Sequence, residues 1–397
     1  MFPLASLFLI IALFATAILA SEANDSPEEL ACAAENQSEV DEEQMYTNLI
    51  EFVRSGDGFV NPSLVVRPVE PNASFRGVFT TDSVREGDVL CSLPWHLILK
   101  AEDVDEIRED ELTICRTIRS VIREMKLGED SEFAPYVRYL LSTPKVQLPS
   151  LWSADGRDLL MNIIGAENEH YIMNPLNRWL EDCEGGDDPL ELQAAMLTLS
   201  RETWDLMIPF YDMHNHHNGH KLNTIIEIRE GEKIEIRAAR DIEKDEQIYE
   251  SYNFCSECGG RSTGYGTTEL LFDYGFVENY PQRWIIIDDV VEFDLDYTEN
   301  GSHDELEVRW LTKHVPSKSD ILKLNEEIEQ LEALQSSSFS SFDNKVPHHE
   351  WEVTKQYLSA LLVALKHAVE AAEGVEGSPT IVVSEDFDYE EEEEEEE

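Results

Sequence analysis

Positive charge is scarce in this 397-residue chain. Lysine and arginine total 30 against 83 aspartate and glutamate residues, which gives a formal net charge of −53 at pH 7. A surface of this sign repels nucleic acid and steers basic proteins towards it, so we expect protein partners and no nucleic acid. The run from Glu390 to Glu397 stays solvated. Residues 373–397 are therefore predicted to be a disordered acidic tail, serving either solubility or interaction.

Cysteine is also rare. Six residues are too few for a disulfide scaffold, and they leave the redox compartment of the protein open. A metal site would have to combine a cysteine pair with a histidine cluster. The residues concerned are Cys255, Cys258, His214, His216, His217 and His220. One Cys-X-X-Cys pair is a weak signal, and histidines this close in a turn do not readily converge on one ion. We predict no metal, and the pair Cys255 and Cys258 could instead form a local disulfide.

Long apolar runs are absent except at the N-terminus. Residues 1–20 are predicted to be a secretory signal peptide, although no lysine or arginine precedes the apolar run. Its length also allows an uncleaved signal anchor, and only then do we expect a membrane association. Residues 21–43 are predicted to be an acidic disordered leader. The expected location is the secretory pathway, lumenal or secreted, or a membrane-anchored state with a cytoplasmic domain as the alternative.

The periodicity of the remaining chain predicts an α+β fold. Alternating residues predict strands, and apolar residues at three- and four-residue spacing predict helices. The predicted strands are 76–81, 88–93, 224–230, 233–239, 246–252 and 283–293. The predicted helices are 42–55, 112–128, 132–141, 155–164, 189–207, 321–334 and 353–372. A β core at 44–293 is thus interrupted by a helical insert at about 103–207 and followed by a smaller helical domain at 294–372.

Several motifs occur in a specific order. The first motif is Arg76-Gly77. The next two, Ser131 to Tyr136 and Pro149 to Trp152, lie in the helical insert. Asp212-Met213-His214-Asn215-His216 precedes the strand that ends in Tyr252, and Asp273-Tyr274-Gly275-Phe276 follows. This order resembles the SET domain of protein methyltransferases, in the branch that includes Rubisco large-subunit methyltransferase and the actin-histidine methyltransferase.

The resemblance implies S-adenosylmethionine as the cofactor and assigns roles to named positions. Asn215 would bind the amino-acid part of the donor, and the backbone of His216 would bind its adenine. The Arg76-Gly77 pair would flank the donor, because Gly77 lets the main chain approach closely. Asp212 and Arg201 would line the same pocket, with Arg201 holding the donor carboxylate.

The resemblance also implies two catalytic aromatic residues. Tyr252 matches the active-site tyrosine of the family, and Tyr274 a second wall of the acceptor channel. From the residues alone, Tyr252 and Tyr274 could be core aromatics. Arg201, in the middle of a predicted helix, could be a surface ion-pair residue. Asn253-Phe254 stands where the branch often has Gly or Asp, which alters the loop near the acceptor.

The expected function is methyl transfer to a side-chain nitrogen of a basic protein, lysine first and histidine second. Two alternatives remain open at this point. One is a non-catalytic SET-like binding protein, in which the C-terminal helices, substrate-binding in the family, recruit partners. The other is an acidic lumenal protein that buffers calcium. A cytosolic donor also fits poorly with a secretory N-terminus, unless the donor is imported, the domain stays cytosolic or the site is inactive.

Overall fold

The computed structural model describes residues 42–70, 75–101, 111–253, 265–286, 291–298, 305–311, 316–337, 342 and 345–374. The predicted signal segment and the Cys255–Cys258 pair lie outside these residues. So do most of the predicted leader and tail, although residues 42 and 43 already belong to the first helix. Within the described ranges, no helix combines the length and apolar character that a bilayer crossing requires.

Strands and helices alternate in blocks along the chain. The strands are β1 (Phe59–Val60), β2 (Leu64–Pro68), β3 (Arg76–Thr80), β4 (Val89–Pro94), β5 (Asn215–His216), β6 (Thr224–Arg229), β7 (Lys233–Ala238), β8 (Tyr249–Glu250), β9 (Gln282–Ile286), β10 (Val291–Tyr297) and β11 (Leu306–Trp310). The helices are α1 (42–55), α2 (Thr113–Leu127), α3 (Ala134–Ser142), α4 (Ala154–Ile164), α5 (Glu169–Asn177), α6 (Pro189–Leu199), α7 (Thr267–Tyr274), α8 (Lys318–Ser337) and α9 (His348–Glu373). The α+β class with a helical insert and a helical C-terminal region is confirmed.

Small sheets build the β core. The largest has the order β1-β4-β7-β6, with antiparallel neighbours. Strand β7 turns Ile234 and Ile236 into the core, and β4 contributes Leu90 and Leu93. Strands β2 and β3 form an antiparallel pair. The short strands β5 and β8 pair in parallel, although they lie far apart in sequence. This pairing brings two of the predicted motifs side by side.

The helical insert contains a disulfide that the sequence did not predict. Cys115 on α2 is bonded to Cys183, which follows a π-helical turn at Arg178–Asp182. Helix α2 ends as predicted, because Gly128 has a φ of +56° and accepts the left-handed region easily. Helix α5, which contains Pro175, and the π-helical turn were not predicted.

Three predicted elements need correction. The helix predicted at 189–207 ends at Leu199, and a tight turn pairs Thr203 with Leu206. The strand predicted at 246–252 is regular only at β8. The strand predicted at 283–293 is two strands, because β9 and β10 are antiparallel neighbours. Strand β10 also crosses the predicted boundary at 293–294, so the C-terminal region begins with a sheet, β11-β10-β9, before its helices.

A second hydrophobic core joins that sheet to the C-terminal helices. It includes Trp284 and Phe293 from the sheet, Leu324 from α8 and Leu365 from α9. Helix α9 also holds the start of α4, because the Glu350 carboxylate accepts from the Ser153 amide at 3.0 Å and from its hydroxyl at 2.6 Å. The helical insert and the C-terminal helices therefore support each other behind the β core.

Candidate active site

The parallel β5–β8 pair is the framework of the site. Asn215 lies opposite Tyr249 and His216 lies opposite Glu250. The chain continues from β8 to Tyr252, whose backbone N–H donates to His216 Nδ1 at 2.9 Å. The Tyr252 hydroxyl donates to the His214 carbonyl oxygen at 2.7 Å. The Asn-His turn and the strand-end tyrosine are therefore adjacent, as the sequence predicted.

Gly77 and Asn215 make a close backbone approach next to this pair. The Asn215 side-chain amide donates to the Arg76 carbonyl oxygen at 2.9 Å. A Cβ atom on Gly77 would lie 2.9 Å from that amide nitrogen and 2.3 Å from Gln247 Nε2. The Arg76 guanidinium forms an ion pair with Glu42 on α1. Arg76 thus reaches Asn215 through its main chain.

Asp212 and Arg201 form a buried polar group. Tyr136 donates to Asp212 Oδ2 at 2.8 Å, while the second oxygen, Oδ1, has no hydrogen-bond partner within the described residues. Arg201 donates to the Tyr139 hydroxyl at 2.9 Å and to the Asp212 carbonyl oxygen at 2.7 Å. Burial raises the pKa of Asp212 to about 6, and the nearby Arg201 opposes this shift.

Aromatic rings enclose the Tyr252 side chain. Its centroid lies 4.6 Å from that of Tyr274, 5.2 Å from that of His216 and 6.3 Å from that of Phe276. Tyr274 and Phe276 are themselves 6.2 Å apart. Tyr252, Tyr274 and Phe276 remain partly exposed, so they form a wall rather than a sealed core, whereas the His216 side chain is buried. Burial and the nearby Glu250 raise the pKa of Tyr252 well above its ordinary value, which keeps the phenol neutral.

Two further buried groups shape the charge of the site. The His214 imidazole is wholly buried, and neither ring nitrogen has a hydrogen-bond partner among the described residues. Burial lowers its pKa to about 3, so the ring is neutral. Burial raises the pKa of Glu250 to about 8, although the Tyr211 hydroxyl opposes the shift. His214 and Glu250 therefore add little charge to the site at neutral pH.

Comparison with protein families and solved structures shows what this site resembles. Residues 76–253 match the family model described as the SET domain. Residues 76–253 have the SET fold. The SET domain of LSMT bound to lysine and AdoHcy is similar in structure, with 12% identity, a TM-score of 0.50 and coverage of 83% of this chain and 91% of that chain. Rubisco LSMT bound to sinefungin and monomethyllysine has a TM-score of 0.51 at the same identity and coverage. No curated protein sequence matches the chain significantly.

The fold places the predicted site residues in two neighbouring groups. One group contains Tyr252, Tyr274, His216, Asn215 and Gly77, and the other contains Arg201 and Asp212, which lies two residues before His214. The position of Arg201 corrects the helical interpretation, because it follows the end of α6 and its guanidinium is largely buried. The Arg76 guanidinium pairs with Glu42, and the Arg76 main chain contacts the site through Asn215.

Sequence reasoning missed other residues of the site. Gln247 lies against Gly77, Phe276 completes the aromatic wall, and Glu278 bonds to His216. Phe276 could have been found, because it follows Tyr274 in the same motif. The described residues contain no group of three or more His, Cys, Asp or Glu placed to hold a metal. Of the histidine cluster, His216 instead bonds to Glu278 and His217 bonds to the Asn218 carbonyl oxygen.

Proposed function

We propose that this protein is an S-adenosylmethionine-dependent protein methyltransferase that modifies a side-chain nitrogen, lysine first and histidine second. The observation that carries the proposal is the double attachment of Tyr252. Its amide and its hydroxyl both bond to the segment His214–His216, beside the close approach of Gly77 and Asn215. The SET domain match and the fold shared with Rubisco LSMT support the same conclusion. That protein was crystallised with sinefungin and monomethyllysine.

The donor fits the residues beside Gly77. The absence of a Cβ on Gly77 lets the Asn215 and Gln247 side-chain amides approach the backbone closely, and the buried Asp212 Oδ1 is an acceptor that no described residue uses. Asn215 would bind the amino-acid part of the donor, His216 its adenine through the backbone, and Arg201 its carboxylate. When bound, S-adenosylmethionine supplies a methyl group carried on a sulfonium.

Tyr252 would orient the reaction rather than act as its base. Its hydroxyl proton is committed to the His214 carbonyl oxygen, so its lone pairs remain as acceptors. Its raised pKa keeps it a neutral phenol in the working range. Methyl transfer requires the acceptor nitrogen, the methyl carbon and the sulfur to be collinear, and a fixed tyrosine supplies such positioning.

The aromatic wall suits a nitrogen that has lost its proton. Tyr274 and Phe276 lie beside Tyr252. Burial among aromatic rings disfavours an ammonium ion and so lowers the pKa of a bound lysine. A lysine acceptor must lose its proton before transfer, because an ammonium has no lone pair. The rate on a lysine peptide should therefore rise with pH up to the pKa of the bound lysine. A histidine acceptor is already neutral at pH 7 and should give a flatter profile.

Calorimetric titration with S-adenosylmethionine, combined with turnover on a protein substrate, tests the proposal. Asn215→Ala should abolish donor binding. Tyr252→Phe should retain donor binding and lose turnover. Two matched controls should bind and turn over normally: Asn325→Ala on α8, and Tyr297→Phe at the end of β10, where the side chain is exposed. An intact protein that binds no donor would contradict the proposal.

We also propose that the protein resides in the secretory pathway, with the apolar N-terminus as its signal peptide or anchor. The Cys115–Cys183 disulfide supports this location, because such bonds persist in oxidising compartments and are rare in the cytosol. Thiol trapping in cells followed by mass spectrometry tests it. A bridged Cys115–Cys183 pair in protein recovered from membrane-enclosed compartments is expected, and a fully reduced pair in the cytosolic fraction would contradict it.

A further inference from the structure

Glu278 is a buried carboxylate with several hydrogen-bond donors around it. It lies after α7, beyond the residues that match the SET family model, and it is 2% exposed. Oxygen Oε1 accepts from the Thr267 hydroxyl at 2.6 Å and from the Arg283 amide at 3.2 Å. Oxygen Oε2 lies 2.9 Å from His216 Nε2 and accepts from Asn218 Nδ2 at 3.1 Å. This carboxylate is therefore held from α7, β9 and the Asn-His turn together.

The tautomer of His216 follows from these contacts. The Tyr252 amide donates to Nδ1, so Nδ1 cannot carry a proton. In the neutral ring the proton is then on Nε2, where it points to the Glu278 carboxylate. A continuous chain of hydrogen bonds thus runs from Glu278 through the imidazole to the Tyr252 main chain. The His216 and Glu278 side chains are 3% and 0% exposed, so water does not compete with the pair.

The residues on either side of Tyr252 are tied to the same carboxylate. Asn218, which donates to Glu278, also donates to Asn253 Oδ1 at 2.8 Å. Its own Oδ1 accepts from the Ser251 hydroxyl at 2.7 Å. The segment from Ser251 to Asn253 is therefore fixed to Glu278 through two side chains, His216 and Asn218.

We propose that Glu278 is a positioning residue for methyl transfer, which acts by holding His216 in the Nε2-protonated form that accepts the Tyr252 amide. This inference rests on the proposed function and adds a residue outside the matched SET segment. Glu278 touches neither donor nor acceptor in this role. It sets the place of the Tyr252 hydroxyl, and a small displacement of a positioned group is sufficient to slow a transfer strongly.

Glu278→Gln tests the proposal with almost no change in volume. A glutamine NH2 group facing His216 Nε2–H would set donor against donor, so the imidazole proton would move to Nδ1 and the Tyr252 amide would lose its acceptor. We expect kcat to fall at least about tenfold, while the dissociation constant for S-adenosylmethionine stays within about twofold. Nitrogen-15 NMR of labelled histidine should show the His216 proton moving from Nε2 to Nδ1.

Thr267→Val is the matched control. It removes a buried hydrogen bond to the other oxygen of the same carboxylate and leaves His216 untouched. It should lower the melting temperature and leave kcat and the His216 tautomer unchanged, so a merely structural role for Glu278 would make both variants behave alike.

The outcomes separate this proposal from the proposed function. A folded Glu278→Gln protein with wild-type kcat, or an equal loss of kcat in Thr267→Val, overturns the positioning role alone. Wild-type protein that binds no donor overturns the proposed function instead. If Glu278→Gln does not fold, the wild-type spectrum decides, since a His216 proton on Nδ1 overturns the positioning role.

Discussion

The buried imidazole of His214 makes the free energy of unfolding depend on pH. Its pKa is about 3 in the folded protein, against the ordinary value of 6.5 for histidine. As pH falls below 6.5, the imidazole therefore stays neutral in the folded protein but binds a proton in the unfolded chain. Its contribution to stability is complete above pH 6.5 and is lost as pH falls towards 3. The rings of Phe210 and Tyr211 lie beside it, with centroids 6.0 Å and 5.4 Å away, so its surroundings are largely aromatic.

His214→Phe should therefore reduce the acid sensitivity of folding. The difference in free energy of unfolding between variant and wild type should grow as pH falls from 6.5 to 3, by up to about 4 kcal/mol. Urea unfolding at pH 7 and pH 4 measures it. His348→Phe is the control, because His348 is exposed on α9. Equal pH slopes for His214→Phe and wild type would contradict the prediction.

Gly77 gives a second prediction at the scale of one residue. In Gly77→Ala the new methyl would meet the Asn215 and Gln247 amides, so Asn215 must shift away from the Arg76 carbonyl oxygen. We expect S-adenosylmethionine to bind at least about tenfold more weakly. Gly186→Ala is the control, because a Cβ there meets nothing within 4 Å. Unchanged affinity in Gly77→Ala would show that the donor does not depend on this approach.

Contacts between elements hold the C-terminal helices on the insert. Glu350 on α9 bonds to both the amide and the hydroxyl of Ser153, the residue that caps α4. Glu350→Ala leaves that helix start without its carboxylate and should lower the free energy of unfolding by about 1–3 kcal/mol. Thermal or urea unfolding measures the change. Glu352→Ala, which removes exposed pairs with Lys355 and His348, should change it by less than about 0.5 kcal/mol.

Elements with a clear period were predictable, and elements fixed by distant contacts were not. The β6–β7 hairpin alternates around Glu230-Gly231-Glu232, and both strands were predicted within one residue. Strands β9 and β10 were merged, because the apolar run at Ile285 gives no turn signal in its local pattern. Helix α6 was extended too far, because Leu206 and Met207 continue an apolar period that the Thr203–Leu206 turn interrupts.

The same distinction applies to the site. Motif order was enough to predict that Asn215 and Tyr252 meet. Glu278 could not be predicted, because a glutamate near the end of a motif is normally a surface residue, and its burial depends on donors from three separate elements. The Cys115–Cys183 bond was missed for a related reason, since the two residues are separated by 68 positions.

At the scale of the whole molecule, that disulfide closes a loop containing most of the helical insert. In the chain-entropy description a loop of this length restricts the unfolded state by about 4 kcal/mol. Cys115→Ser with Cys183→Ser should lower the free energy of unfolding by up to that amount. Dithiothreitol should destabilise wild type and leave the double variant unchanged. A reductant effect of equal size in both proteins would contradict the assignment to this bond.

The pairing of β10 with β9 and β11 has a practical consequence for dissecting the protein. Expression of residues 76–253 alone would omit Tyr274, Phe276 and Glu278, and so would remove one side of the aromatic wall. A cut at residue 293 would divide strand β10 and leave β9 as an unpaired edge strand, which favours association with other chains. A fragment that keeps this side of the site and both partners of β10 therefore has to extend beyond Trp310.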